Sequence, residues 1–210
     1  MRGQTATFAE LRVDPRTAGE IAFAYLDGPE RPSHLVRAAY AQLGYESDAL
    51  FVAITRERAR PIRVRFTRCA APYGNAEELV ASVTRDRLLE VTAAITDGDR
   101  RHPLMDTDVG GAFDRFRAVH DLLGHAALRL GFDRHSEYAT WRYQERFHCS
   151  LAGRALATEL HGKHSVRWTT GESPDHRAVL LDPRLVARSR ELARPHHTDQ
   201  PTLRPRNHPF

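Results

Sequence analysis

The sequence predicts an α+β protein, predominantly α, in which a small N-terminal strand region precedes a helical metal-binding core. Three observations carry that prediction. Apolar residues between positions 112 and 162 recur at steps of three and four, the period of helices with one buried face. Earlier in the chain, Ile62, Val64 and Phe66 alternate with Arg63 and Arg65, which is the two-residue period of a strand. With 210 residues, 41% hydrophobic and 28% charged, the chain is long enough for one well-filled core. A single domain over 1–195 follows, with an α/β part at about 14–100 and the helical core at about 110–168.

The elements read in order as follows. Asp14-Pro15 opens a first helix through Tyr25, because aspartate caps and proline suits the first helical turn; Gly28-Pro29 stops it. Ser33 caps a second helix, His34 to Leu43, with Gly44 as its stop. Ala49 to Thr55 and Pro61 to Thr67 read as strands, the second from its alternation. Asn75 followed by Glu78 has the offset of a capping box and opens a helix to about Thr84. Leu88 to Ile95 reads as a further strand, ended by the Thr-Asp-Gly-Asp turn at 96–99. In the core, Gly131 stops one helix, Ser136 caps the next, and a third runs from Leu151 to Gly162. A last helix starts at Asp182-Pro183 and runs to Ala193, and the proline-rich 196–210 reads as a disordered tail.

The charge balance narrows the partners. Net charge is +4, and Lys163 is the sole lysine among 31 basic residues, a skew that reads as the codon usage of a GC-rich genome. Arg56, Arg58, Arg60, Arg63, Arg65 and Arg68 form a basic cluster, which nucleic acid would favour. The alternation through that cluster is also that of a strand with a solvated arginine face, and 27 acidic residues offset the basic ones, so nucleic acid is the minority reading. No apolar stretch approaches a membrane span, and Met-Arg-Gly-Gln-Thr-Ala at the start lacks the apolar run of a signal peptide. Cys69 and Cys149 fit reduced thiols in a cytoplasmic protein and form neither a zinc knuckle nor a disulfide scaffold.

The chemistry concentrates in His120-Asp-Leu-Leu-Gly-His125. Phe113, Phe116, His120, Leu123, Ala127 and Leu130 form a core-facing stripe, so His120 is buried and needs partners for its ring nitrogens. In a regular helix, residues five apart are rotated by about 140°. For His120 and His125 to converge on one ion, the helix must widen into a π-type turn or loosen at Gly124. A core histidine beside an exposed one is the bland alternative. Further candidates follow. Glu137, Trp141, Glu145 and His148 lie along one side of the next helix, and Glu159 continues the apolar face of Leu151, Ala152, Ala155 and Leu156. A carboxylate there requires a cation, either an arginine or a metal. Two histidines and one carboxylate make the facial triad that holds iron(II) with open positions, so His120, His125 and Glu159 are the expected metal ligands. Asp121, four residues before His125, and Glu137 are the candidate catalytic residues beyond them. Asp121 would fix the His125 tautomer; Glu137 would accept a hydrogen bond, move a proton or bind a second ion together with Glu145 and His148. His161 and His164 are separated by Gly162, whose expected helix stop keeps their rings from converging.

Val119-His-Asp-Leu-Leu-Gly-His125 resembles the iron-binding His-Glu-Leu-Leu-Gly-His segment of the aromatic amino acid hydroxylases. The resemblance implies that His120 and His125 are iron ligands and that Glu159 stands where a later helix supplies the family's glutamate. It covers little beyond two helices, and the family's pterin-binding stretches have no counterpart here, which leaves pterin a doubtful cofactor. A broader resemblance, over roughly 72 to 168, is to a family of small bacterial and phage-borne proteins without an established activity. It is carried by Pro72-Tyr-Gly-Asn-Ala-Glu-Glu-Leu-Val80, Phe116 to Ala126, Gly131-Phe-Asp-Arg-His-Ser-Glu137 and Arg154 to Gly162.

The expected function is a non-haem iron(II) oxygenase acting with dioxygen on a small, aromatic or amino-acid-like substrate. Trp141, Tyr138 and Trp168 would lie against the substrate, with Arg117 or Arg167 on its carboxylate. The alternatives are a zinc(II) hydrolase on the same ligands, with Glu137 or Glu145 as general base, and a non-enzymatic metal- or nucleic-acid-binding protein.

Overall fold

The computed structural model describes residue 8 and residues 10–29, 31–57, 60–94, 102–105 and 108–195. The 96–99 turn and the 196–210 tail expected from sequence lie outside the described residues.

Helix α1 (Pro15–Leu26) is capped by Asp14, whose Oδ1 accepts from the Thr17 amide at 2.8 Å. Helix α2 (His34–Thr55) starts at the Ser33 cap but runs for 22 residues, through Gly44 and through the stretch expected as a first strand. Glycine stops a helix by turning left-handed. Among the described residues the left-handed glycines are Gly110 and Gly171, and Gly44 remains helical. Ala49–Thr55 is helical because Phe51 and Ile54, one helical turn apart, pack on the same apolar cluster.

Short strands frame the helices. β1 (Leu11–Arg12) pairs antiparallel with β4 (Arg194–Pro195), and β2 (Arg63–Thr67) pairs parallel with β3 (Leu88–Thr92), from Arg63 opposite Leu88 to Thr67 opposite Thr92. The crossover holds α3 (Ala76–Ala81) and a π turn, Ser82–Asp86. Asn75 Oδ1 accepts from the Glu78 amide, and the Glu78 carboxylate reaches back to the Gly74 amide.

The core helices come next. α4 (Ala112–His120) continues into a π turn, Asp121–Ala126, and the left-handed residue after it is Arg129 rather than Gly131. Asp133, not Ser136, caps α5 (Arg134–Gln144): its Oδ1 accepts from the amides of both His135 and Ser136. After a 3₁₀ turn, α6 (Ser150–Leu156), a π turn (Ala157–Gly162) and α7 (Lys163–Thr170) form one unbroken helix. Gly162 lies inside it at φ −59° instead of ending it. Asp182 caps α8 (Pro183–Leu192).

Two apolar clusters share α4. Phe113 and Phe116 face the larger one with Tyr25, Tyr40, Leu43, Trp141 and Leu156, whereas Ala118 and Leu122 face the smaller one with Leu79, Leu89 and Val91. Fully burying a large apolar side chain contributes roughly 2–3 kcal/mol, so these contacts fix α4 firmly between its neighbours. Helix α2 packs on α4 and α6, and α1 on α7. Among the described residues, no helix is long and apolar enough to cross a membrane.

Candidate metal centre

The π turn after α4 does what the awkward histidine spacing requires. An extra residue in the turn brings positions five apart onto one face, and the ring centroids of His120 and His125 lie 4.9 Å apart with their Nε2 atoms at 3.2 Å. Gly124 makes the close packing possible. A Cβ there would sit 2.8 Å from Thr140 Cβ, so the turn rests directly on α5.

That contact brings α5 and its Glu137 to the histidine pair. Glu137 Oε2 lies 3.2 Å from His120 Nε2 and 3.5 Å from His125 Nε2. A third imidazole arrives from α7: His164 Nδ1 is 3.0 Å from the same oxygen. The opposite nitrogens of the first two rings are tied outward, His125 Nδ1 to the Leu130 carbonyl at 3.2 Å and His120 Nδ1 to Gln144 Oε1 at 3.1 Å. A carbonyl only accepts, so each Nδ1 carries a proton and, in the neutral ring, each Nε2 turns its lone pair inward.

Three imidazole nitrogens and a carboxylate oxygen facing one point are electron-rich and mutually repulsive without a cation between them. Protons can supply part of that charge. Burial opposes ionisation of His125, but its hydrogen bond to Glu137, the charges of Glu137 and Asp121, and the Leu130 carbonyl raise it to about 9. Burial likewise opposes the Glu137 carboxylate, yet attraction to His164 and the contacts with His120 and His125 hold it well below the usual range. Two atoms around the cluster stay unsatisfied, Gln144 Nε2 and His164 Nδ1. His164 Nδ1 is close to Glu137 but out of line for a hydrogen bond, and it is buried without a hydrogen-bond partner. Donor atoms about 2.1 Å from one ion lie about 3.0–3.4 Å apart in octahedral or tetrahedral geometry, which matches the observed contacts. The residues therefore fit a divalent metal.

The expected ligand set is only partly assembled here. His120 and His125 converge, but Glu159 does not join them. It lies in the π turn between α6 and α7, where Oε1 accepts from the Tyr40 hydroxyl at 2.7 Å and meets His102 Nε2 at 2.9 Å. Burial would raise its pKa, but His102, Lys163 and Tyr40 prevail and hold it at about 2. Its cation requirement is met by protein groups, and Glu137, not Glu159, is the carboxylate beside the two histidines. Asp121 offers an oxygen within 4.8 Å of both histidines, and burial raises its pKa against the pull of His120 and His125. The His125 tautomer is nevertheless fixed by Leu130 rather than by Asp121.

Glu145 and His148 do not meet Glu137. Glu145 binds Arg142 and Arg190, and His148 Nδ1 binds Glu46, because the 3₁₀ turn ends the regular helix before either can share the Glu137 side. Trp141 and Tyr138 are core residues, the first stacked on His161 and the second hydrogen-bonded to the Ser189 carbonyl. Arg117 binds the Thr92 carbonyl. His164 was missed from sequence because Gly162 was read as a stop; the signal was its position on the same apolar helix as Glu159. His102 lies outside any regular element and gave no signal.

The site has an approach from outside. His164 is 23% exposed at its side chain, and the half-exposed Phe132 ring meets His125 edge-on at 4.8 Å. Beside His164 a cavity of about 10 Å³, lined by Arg134, Tyr138, Ser165 and the exposed Trp168, has room for one water. Comparison with models of protein families, with curated proteins and with solved structures returns no match.

Proposed function

We infer that the protein is a mononuclear non-haem iron(II) oxygenase whose metal is held by His120 Nε2, His125 Nε2, His164 Nδ1 and Glu137 Oε2. The observation that carries this reading is the convergence of those atoms, with the His120 and His125 Nδ1 positions anchored outward. Nitrogen and oxygen donors suit iron(II), and four protein ligands leave octahedral positions for dioxygen and for a small substrate. When bound, iron would supply dioxygen activation. The protein's own part is to fix the tautomers of His120 and His125, to orient all three imidazoles, to keep Glu137 ionised, and to place the half-buried Asp121 beside the ligands as a proton-transfer group. Substrate reaches the metal from the Phe132–His164–Trp168 side, where Trp168 is the aromatic surface left from the sequence reading. Cytoplasmic placement, dioxygen and an aromatic or amino-acid-like substrate belong to this proposal, and pterin has no support beyond the local sequence resemblance.

Four protein ligands also favour a second reading, a closed tetrahedral zinc site. The hydrolytic version of zinc is less well supported, because neither expected general base is free: Glu137 faces the three imidazoles, and Glu145 is held by Arg142 and Arg190. Anaerobic reconstitution with iron(II), followed by nitric oxide, separates the readings. An open iron site gives a high-spin nitrosyl signal in electron paramagnetic resonance. Preferential zinc binding with no nitrosyl signal would turn the assignment to structural zinc.

A further inference from the structure

A second concave site lies apart from the histidine cluster, where the start of α6 faces α8. Its volume is about 380 Å³, within the range of small-molecule pockets. Ala157, Leu181, Pro183 and Val186 give it an apolar floor.

The polar lining groups define what the cavity lacks. Arg190 lines it but is neutralised by Glu145, at 2.9 Å. Arg154 lines it, is half-buried, has Nε buried without a hydrogen-bond partner, and forms no ion pair among the described residues. His148 has a fully buried side chain. Its Nδ1 binds Glu46 Oε2 at 3.0 Å, and its Nε2 is buried with no partner. With Nδ1 donating to the carboxylate, the free Nε2 is an acceptor. Among the charged lining residues, Arg154, Arg190 and Glu145, one positive charge is in excess, and Arg154 is the cation without a carboxylate partner. A half-buried guanidinium without an anion is costly unless something fills its site.

We propose that this cavity binds a small monocarboxylic acid, its carboxylate on Arg154 and its apolar body on the floor of Ala157, Leu181, Pro183 and Val186. A planar carboxylate suits the guanidinium fork, and a doubly charged phosphate would exceed the single free positive charge. This site is independent of the metal reading, since none of the four metal ligands lines it.

Cys149 is a free, exposed thiol lining the same cavity, and Cys69, free and exposed elsewhere, is an internal reference. The test is alkylation of the full-length protein by iodoacetate, which carries a carboxylate, and by neutral iodoacetamide, read at each cysteine by peptide mass spectrometry. Iodoacetate should be favoured at Cys149, and Arg154→Gln should lower that preference by about tenfold while leaving Cys69 unchanged. In the unsubstituted protein, 4-hydroxybenzoate at up to about 10 mM should protect Cys149 but not Cys69, and neutral 4-hydroxybenzamide should protect neither. An iodoacetate preference unaffected by Arg154→Gln, equal protection by the acid and the amide, or no protection by the acid would each overturn the proposal. The protection arm needs no variant, so a poorly folding Arg154→Gln leaves it decisive.

Discussion

Two buried carboxylates, Glu137 and Glu159, lie in neighbouring helices of one core, and each contacts histidine. Their surroundings differ in kind. Glu159 is met by the Tyr40 hydroxyl and by His102, with Lys163 close enough to help hold it ionised. Glu137 is met by three imidazoles, two of which have spent their Nδ1 proton on Gln144 and Leu130. The first carboxylate is satisfied by protein donors, and the second faces two imidazoles that, when neutral, offer it only lone pairs. Burial alone thus says that a carboxylate needs a cation; the hydrogen bonds behind its neighbours say whether the protein already provides one.

The strongest way to break this comparison is to remove the ligands. His120→Ala should abolish stoichiometric metal while leaving a mostly folded protein, checked by elemental analysis beside circular dichroism. Full metal occupancy in that variant would dissolve the contrast altogether.

Acid titration probes the other cluster. Glu159 is held at about 2, below its ordinary 4.5, so its contribution to stability is complete above pH 4.5 and is lost as the pH falls from there through 2. That shift corresponds to an upper limit of about 3 kcal/mol. Glu159→Gln should destabilise the protein near neutral pH by up to that amount and flatten the acid limb of the stability curve, measured by urea unfolding across pH. An unchanged acid limb would show that Tyr40 and His102 do not hold the carboxylate as described.

Gly124→Ala tests the packing that unites the histidine cluster. The new methyl meets Thr140, so a loss of about 1–3 kcal/mol is expected, with partial recovery when Thr140→Ala is added. Equal destabilisation in the single and double variants would mean that the two helices do not meet there. A smaller effect is expected from Gln144→Leu, which removes the anchor of His120 Nδ1 and should weaken metal binding by about 10–100-fold without abolishing it. Unaltered affinity would separate tautomer control from this site.

Much of this architecture was legible from local chemistry. Asp14, Ser33, Asn75 and Asp182 cap the helices they were expected to cap, and the His120–His125 spacing demanded the π turn that is present. Two misreadings share one cause. Gly44 and Gly162 look like stops in sequence, but a glycine ends a helix only when its backbone turns left-handed, and tertiary packing decides that. Reading Gly162 as a stop removed His164 from the site. Apolar periodicity identified Glu159 as buried, but it could not distinguish a carboxylate facing donors from one facing lone pairs, because Tyr40 and His102 come from distant parts of the chain. Glu137 was read as cavity-facing, and it is the carboxylate beside the histidine pair.

The most direct measurement is metal stoichiometry in three proteins side by side: the unsubstituted chain, Glu137→Gln and Glu159→Gln, each reconstituted anaerobically with iron(II) and desalted. One iron per chain is expected in the unsubstituted protein and in Glu159→Gln, with affinity lowered by at least about 100-fold in Glu137→Gln. Retention of iron by Glu137→Gln and its loss from Glu159→Gln would contradict the account and return the metal to the other carboxylate.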